Sequence, residues 1–138
     1  MNRDDIKRII PHREPMLLLD EVELINGEAS GRYCVHGGEF FLKGHFPGSP
    51  VVPGVILCEM MGQAACVLID NPGNNATPYF TGMNNVRFKN KVLPGDTVML
   101  KSVLLKSKPP FYFIKSEAYV NEKLCACGEF SFAVMINE

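Results

Sequence analysis

Residues 54 to 70, GVILCEMMGQAACVLID, restrict the fold more than any other stretch of the chain. The run is almost wholly Val, Ile, Leu, Met, Ala, Gly and Cys, and its length predicts a helix rather than a strand. A helix that is apolar all round is a buried helix, not a surface one. Something must cover it on nearly every side, and a strongly curved sheet wrapped around it does so, with a second subunit covering what remains. Two polar residues interrupt the run. Glu59 and Gln63 stand four apart and so share one helix face.

The rest of the chain reads mostly as strands. RDDIKRII, residues 3 to 10, has the pattern of a short amphipathic helix closed by Pro11. Strands are expected over 16–26 and 28–36, joined by a turn at Asn26-Gly27. A loop over 37–53 follows, punctuated by glycines and by Pro47, Pro50 and Pro53. NPGNN at 71–75 ends the long helix, and strands are expected over 78–90, 96–106, 111–121 and 123–136. Pro94-Gly95-Asp96 and Asn121-Glu122 supply turns. In the last strand Phe130, Phe132, Val134 and Ile136 alternate onto one face. The expectation is a single α+β domain over 1–138: a curved antiparallel sheet around one long central apolar helix.

Composition narrows the class further. With 46% hydrophobic residues among 138, a core forms without staples. The N-terminal stretch carries acids early and does not read as a secretory signal. The long apolar run is broken by Glu59 and Gln63 and is too short to span a bilayer, so a cytoplasmic protein with no membrane contact is expected. Five cysteines, Cys34, Cys58, Cys66, Cys125 and Cys127, lack the paired spacing of a zinc site or a disulfide framework. Cys125 and Cys127 fit one strand face as small buried residues, and no metal or cofactor is expected.

Net charge is −1, yet residues 87 to 115 hold seven cations against the single acid Asp96. That segment is +6 and the remainder −7. It is either the solvated face of exposed strands or a docking surface for an anionic partner. A nucleic-acid partner is disfavoured, because the domain as a whole is not basic and carries no nucleic-acid-binding signature.

A glutamate inside an apolar helix is costly unless it is paired, protonated or engaged in chemistry. The alternative is that this helix face is exposed, against which Ile56, Leu57, Met60 and Met61 argue. His45 precedes the helix in GHFPGSPVVPG, a loop stiffened by prolines at three-residue spacing. The same prolines also suit a polyproline-type spacer or a tight helix entry. Gly54 opens the helix, where first-turn amides lack intrahelical partners and a ligand can approach the backbone closely. Base, acid and oxyanion donor within twenty residues suit proton abstraction beside a carbonyl with departure of a β-hydroxyl.

The segment GHFPGSPVVPGVILCEMMGQ (44–63) strongly resembles the signature of the bacterial β-hydroxyacyl-acyl-carrier-protein dehydratases of the FabZ type. IIPHREPMLLLDEV (9–22) and YFTGMNNVRFKNKVLPGD (79–96) are similar to two further motifs of that family, in the same order. The resemblance implies a hot-dog fold and a homodimer, with a trimer of dimers as the larger assembly. It also implies a site at the dimer interface, with histidine and glutamate from different subunits, and no cofactor or metal. It places the catalytic pair on His45 and Glu59, the thioester-binding amide on Gly54 and the tyrosine of the acyl tunnel on Tyr79. Gln63, one turn beyond Glu59, is expected to orient it, and the mechanism calls for a glutamate with a raised pKa. The implied partner is an acidic acyl carrier protein, with Arg87, Lys89, Lys106 and Lys108 as candidate docking cations. EMMGQ departs from the family's EAMAQ at Met60 and Gly62, which leaves chain-length preference and any isomerase activity open. A hot-dog thioesterase, a coenzyme-A-linked hydratase and a non-catalytic acyl-binding domain are the alternatives.

Overall fold

The computed structural model describes residues 1–69 and 75–137. Helix α1 (Arg3–Lys7) leads into strands β1 (Glu21–Ile25) and β2 (Glu28–Cys34), followed by a 3-10 turn at Phe40–Leu42. Helix α2 (Gly54–Cys66) precedes strands β3 (Ala76–Phe88), β4 (Thr97–Lys108), β5 (Phe111–Val120) and β6 (Lys123–Ile136). The strands form one antiparallel sheet in the order β1-β2-β4-β5-β6-β3. Register shifts in the β3–β6, β4–β5 and β5–β6 pairings mark bulges that bend and twist a sheet. α2 packs against β4 and β5, with β2 and β6 to either side.

Turn chemistry follows the sequence. Asn26 and Gly27 both have positive φ, 51° and 79°, as do Asn121 and Glu122, at 49° and 66°. That is the pattern of the tight hairpin turns whose twist matches the strands. Leu57, Cys58 and every residue from Met60 to Cys66 are buried, so most of α2 lies in the core as its composition demands. Ile56 and Glu59 are only partly buried and Val55 is 74% exposed. One stripe of α2 is therefore uncovered in the single chain.

Three expectations need correction. The first strand is shorter than 16–26, because residues 16 to 19 spend their backbone groups elsewhere. The Met16 carbonyl and Leu18 amide bond the Gln63 side chain, and the Leu17 and Leu19 carbonyls accept from Arg3. The long helix closes at Cys66 with Val67 as its cap. Residues 70–74, and with them most of NPGNN, lie outside the described residues. In β6 the alternating face runs from buried Phe130 and Phe132 to Ile136, 69% exposed near the strand end. Cys125 is buried and Cys127 only half so. No helix of the described residues is long and apolar enough to cross a membrane.

Two clamps hold the loops that border α2. Glu14 receives Lys7 and Arg3, whose cations hold its carboxyl down at about 2. Glu39, at the start of the loop carrying His45, is buried and accepts from the Tyr33 hydroxyl at 2.7 Å and the amides of His36 and Gly37 at 3.0 and 2.8 Å. Burial alone pushes this carboxyl up, but the Tyr33, His36 and Gly37 donors together hold it below the ordinary glutamate value. Its contribution is therefore full above the unfolded-state pKa and fades as pH falls through the lower folded-state one. Tyr33→Phe should cost about 1–2 kcal/mol at neutral pH, as expected for a buried bond to a charged group. In urea titrations at several pH values the gap between wild type and variant should narrow in acid, below the usual glutamate range.

Candidate active site

The uncovered stripe of α2 carries Glu59, whose side chain is 22% exposed. Its Oε2 accepts from Gln63 Nε2 at 2.9 Å, across one helical turn. Gln63 is buried and fully engaged: its Oε1 accepts from the Leu18 amide at 2.8 Å, and its Nε2 also donates to the Met16 carbonyl at 2.6 Å. The orienting role expected of Gln63 thus has a geometric basis. His12, from the segment that Gln63 ties down, brings Nε2 to 3.5 Å from the same Oε2. Burial lowers the His12 pKa and the Arg13 charge adds to this, while the Glu59 charge opposes both. The Cys58 thiol, next to Glu59, is pushed up by burial and by that carboxylate, which leaves it a neutral thiol rather than a reactive thiolate.

His45 sits half-buried in a closed loop. Its amide donates to Leu42, its carbonyl accepts from Val51, and Phe46 and Ser49 exchange backbone bonds. The ring stacks on Phe46 with centroids 4.2 Å apart. Nδ1 lies 2.9 Å from the Val51 carbonyl oxygen. A carbonyl only accepts, so Nδ1 carries the proton and Nε2 keeps its lone pair as a base. Within one chain His45 and Glu59 keep separate neighbours: Val51 and Phe46 for the first, Gln63 and His12 for the second.

Gly54 opens α2 behind Pro53, the N-cap. The first helix-type backbone bonds to Pro53 come from Ile56 and Leu57, which leaves the Gly54 amide in the unpaired first turn. The Phe88 ring explains the glycine, because a Cβ at 54 would stand 2.9 Å from Phe88 Cε1. A groove of about 530 Å³ runs from Val52, Gly54 and Val55 past Phe88 to Lys89 and Lys91. Lys91 and Lys123 border the neighbouring hollow beyond Lys89, and the sequence reading did not single them out. Their signal was the cation count of the segment and the turn at Asn121-Glu122. Tyr79 is 55% exposed on β3, at the sheet edge.

The four docking cations do not form one patch on a single chain. Arg87 lies in the cross-strand row Lys101–Glu117–Cys127–Arg87, whereas Lys106 lies in the row Lys106–Phe113–Ser131–Gly82. Three strand spacings and five residues separate them, roughly 20 Å. Spacing by two within each pair said nothing about the distance between pairs. The departures at 60 and 62 are accommodated in the core. Met60 is fully buried, and Gly62 admits the Phe80 ring, whose Cζ would stand 2.5 Å from a Cβ there. Phe80 in turn stacks on Phe132.

Residues 10–128 match the FabA-like domain. Across 97% of the chain it is 42% identical to the 3-hydroxyacyl-[acyl-carrier-protein] dehydratase FabZ of Clostridium perfringens (strain SM101 / Type A), covering 99% of that protein. The FabZ of Petrotoga mobilis is 39% identical, with 94% of each chain covered. Among solved structures, the dehydratase heterocomplex ApeI:P from Xenorhabdus doucetiae superposes with a TM-score of 0.78 at 21% identity, over 93% of this chain and 89% of that one. That likeness places the sheet and its helix among hot-dog folds. The motif around a tautomer-fixed His45 and an amide-held Glu59 thus sits in a chain that belongs, over nearly its whole length, to the FabZ family of the FabA-like domain.

Proposed function

We propose that the protein eliminates water from (3R)-hydroxyacyl thioesters on acyl carrier protein, giving trans-2-enoyl thioesters for fatty-acid synthesis, a hydro-lyase reaction. The observation that supports this reading is the Nδ1–Val51 carbonyl bond, which leaves Nε2 of the neutral His45 ring free to act as the base. Nε2 removes the proton from C2. The Gly54 amide, at the positive end of α2, stabilises the negative charge that develops on the thioester oxygen. Glu59 gives its proton to the C3 hydroxyl as the C–O bond breaks, and water leaves. Gln63 keeps the Glu59 carboxyl in place. Tyr79 borders the entry of the acyl chain. Five free thiols, with Cys34 exposed, support a reducing and hence cytoplasmic setting.

The acid and the base meet across two chains in this reading. β1 is a short edge strand that carries Glu21 and Glu23, as protected edges do. β3, the other edge, is 13 residues long and exposes Tyr79, Phe80, Met83 and Phe88. A second copy paired along β3 covers that edge and the Val55 stripe, and brings one chain's His45 to the other's Glu59. The carrier protein docks where Lys89 borders the groove at Gly54, with Arg87 two residues before it on β3.

Hydration of a crotonyl thioester, followed by loss of enoyl absorbance, tests the chemistry. His45→Ala and Glu59→Gln should each lose about 10²–10⁴ in turnover while staying folded, as general acid–base groups do. Wild type that only releases free thiol, or a Glu59→Gln variant at near-full rate, removes the assignment. Mixing the two inactive variants should restore part of the activity, because a mixed dimer holds one intact His45–Glu59 pair. No recovery after subunit exchange would put both groups in one chain. Reversing Arg87 and Lys89 to Glu should raise KM about tenfold for carrier-borne substrate and leave a short thioester unaffected, as docking electrostatics predict. The same reversal at Lys106 and Lys108 should change neither by more than about twofold, since these cations lie at the far end of the sheet.

A further inference from the structure

The segment 9–22 contains a histidine to which the reading of the site gives no task. His12 Nε2 faces Glu59 Oε2 at 3.5 Å, a contact distance rather than a formed hydrogen bond. Its other nitrogen, Nδ1, is buried and has no hydrogen-bond partner among the described residues. Buried polar atoms without partners are uncommon and call for a reason, which is often catalytic. An apolar side chain of similar size would fill the same space without an orphaned nitrogen.

We propose that His12 is a second positioning residue for Glu59: its neutral, Nε2-protonated ring aims that N–H at Oε2 beside the Gln63 amide, so that the proton of the acid rides on Oε1. The proposal rests on the reading of Glu59 as the general acid. The atoms leave little choice. A neutral imidazole has one N–H, and Nδ1 has no acceptor here, so a proton on Nδ1 would be a buried donor with nothing to bond. Orphaned buried N–H groups are rarer than under-satisfied acceptors. With the proton on Nε2, the ring has one donor and one facing oxygen. Gln63 Nε2 already donates to that oxygen at 2.9 Å. An oxygen that receives two N–H groups has no lone pair left for a proton of its own, so the proton that Glu59 carries in its acid form occupies the other oxygen.

The surroundings keep the ring neutral. The charged groups that bear on it are the Glu59 carboxylate from α2 and the Arg13 guanidinium from its own segment. Burial and Arg13 disfavour the imidazolium, and only Glu59 favours it. The Cys58 and Cys66 thiols near Glu59 are both pushed up and bring no charge. Gln63 holds Met16 and Leu18, four and six residues beyond His12, which fixes the segment from which the ring projects. The 3.5 Å gap is of the kind that shortens when substrate occupies a site.

Histidine ¹⁵N–¹H spectra and steady-state kinetics test the arrangement together. The spectra of the wild type should show His12 as the Nε2–H tautomer. In Glu59→Gln its titration should move to lower pH, because the carboxylate that favours its charged form is gone. An Nδ1–H tautomer, or a titration unmoved by Glu59→Gln, would overturn the proposal. In kinetics, His12→Phe should lower kcat for the crotonyl thioester about tenfold with KM within about twofold, the signature of lost orientation rather than lost binding. His12→Gln, whose amide reaches the same position, should keep within about threefold of wild type. A folded His12→Phe with wild-type kcat sinks the proposal, and so does a His12→Gln as impaired as His12→Phe. Should His12→Phe fail to fold, His12→Gln and the spectra decide. Should the wild type turn over no hydroxyacyl or enoyl thioester, the proposed function falls, and the spectra alone still decide whether His12 is coupled to Glu59.

Discussion

The architecture around the site depends on one buried amide. Gln63 has one acceptor oxygen and two donor hydrogens, and each is taken: Leu18 bonds the oxygen, and Met16 and Glu59 take the nitrogen. The amide cannot be reversed, because its oxygen faces an N–H and its nitrogen faces a C=O. The second hydrogen can reach Glu59 only because the first is fixed on a carbonyl of a distant segment. Replacing this group by an apolar one would strand a buried amide and a buried carbonyl at once, the costly side of hydrogen-bond energetics. It would also release Leu17, Leu18 and Leu19, all buried in the core. One side chain in the middle of an apolar helix therefore joins core packing to the placement of the acid.

The same helix leaves part of its own surface open in a single chain. A Cβ at Gly54 would meet Phe88, and one at Gly62 would meet Phe80, so β3 runs alongside α2 from one end to the other. Tyr79, Phe80, Met83 and Phe88 of β3 are exposed, as is Val55 of α2. The two edges of the sheet are treated differently. The short, acidic β1 resists pairing, and the long, aromatic β3 invites it.

Much of this was legible in the residues. An apolar run of helical length forced a covering sheet, and the Asn26-Gly27 and Asn121-Glu122 turns placed two hairpins correctly because their φ requirements are local. Glu59 and Gln63 were found because two polar groups stand four apart in an apolar helix. What sequence periodicity could not supply is non-local. Residues 16 to 19 look like strand, being rich in leucine, yet the Met16, Leu17 and Leu19 carbonyls and the Leu18 amide bond side chains, Arg3 and Gln63, that no local pattern announces. His12 escaped for the same reason: its significance lies in a contact with Glu59, 47 positions away. Likewise the basic segment 87–115 reads as one charged stretch in sequence, but sheet register sends its cations to opposite ends.

The proposed acid and base are anchored to different supports, and this bears on the proposed mechanism. His45 is held by the Val51 carbonyl in a loop that is itself tied to the chain before β4 through Val52 and Val92, and to β2 through the Glu39–Tyr33 bond. Glu59 is held by α2 and the segment behind it. No described contact links the two supports at the level of these side chains, so neither group adjusts to the other within a chain. Each is fixed in advance, with its tautomer or its orientation set by buried partners. In the proposed dimer, their alignment on a substrate is left to the docking of one chain's surface on the other's. Preorganisation of that kind spends no reorganisation energy at the moment of reaction. It makes turnover sensitive to how chains assemble, because a small shift between supports displaces base and acid together from the two carbons on which they act.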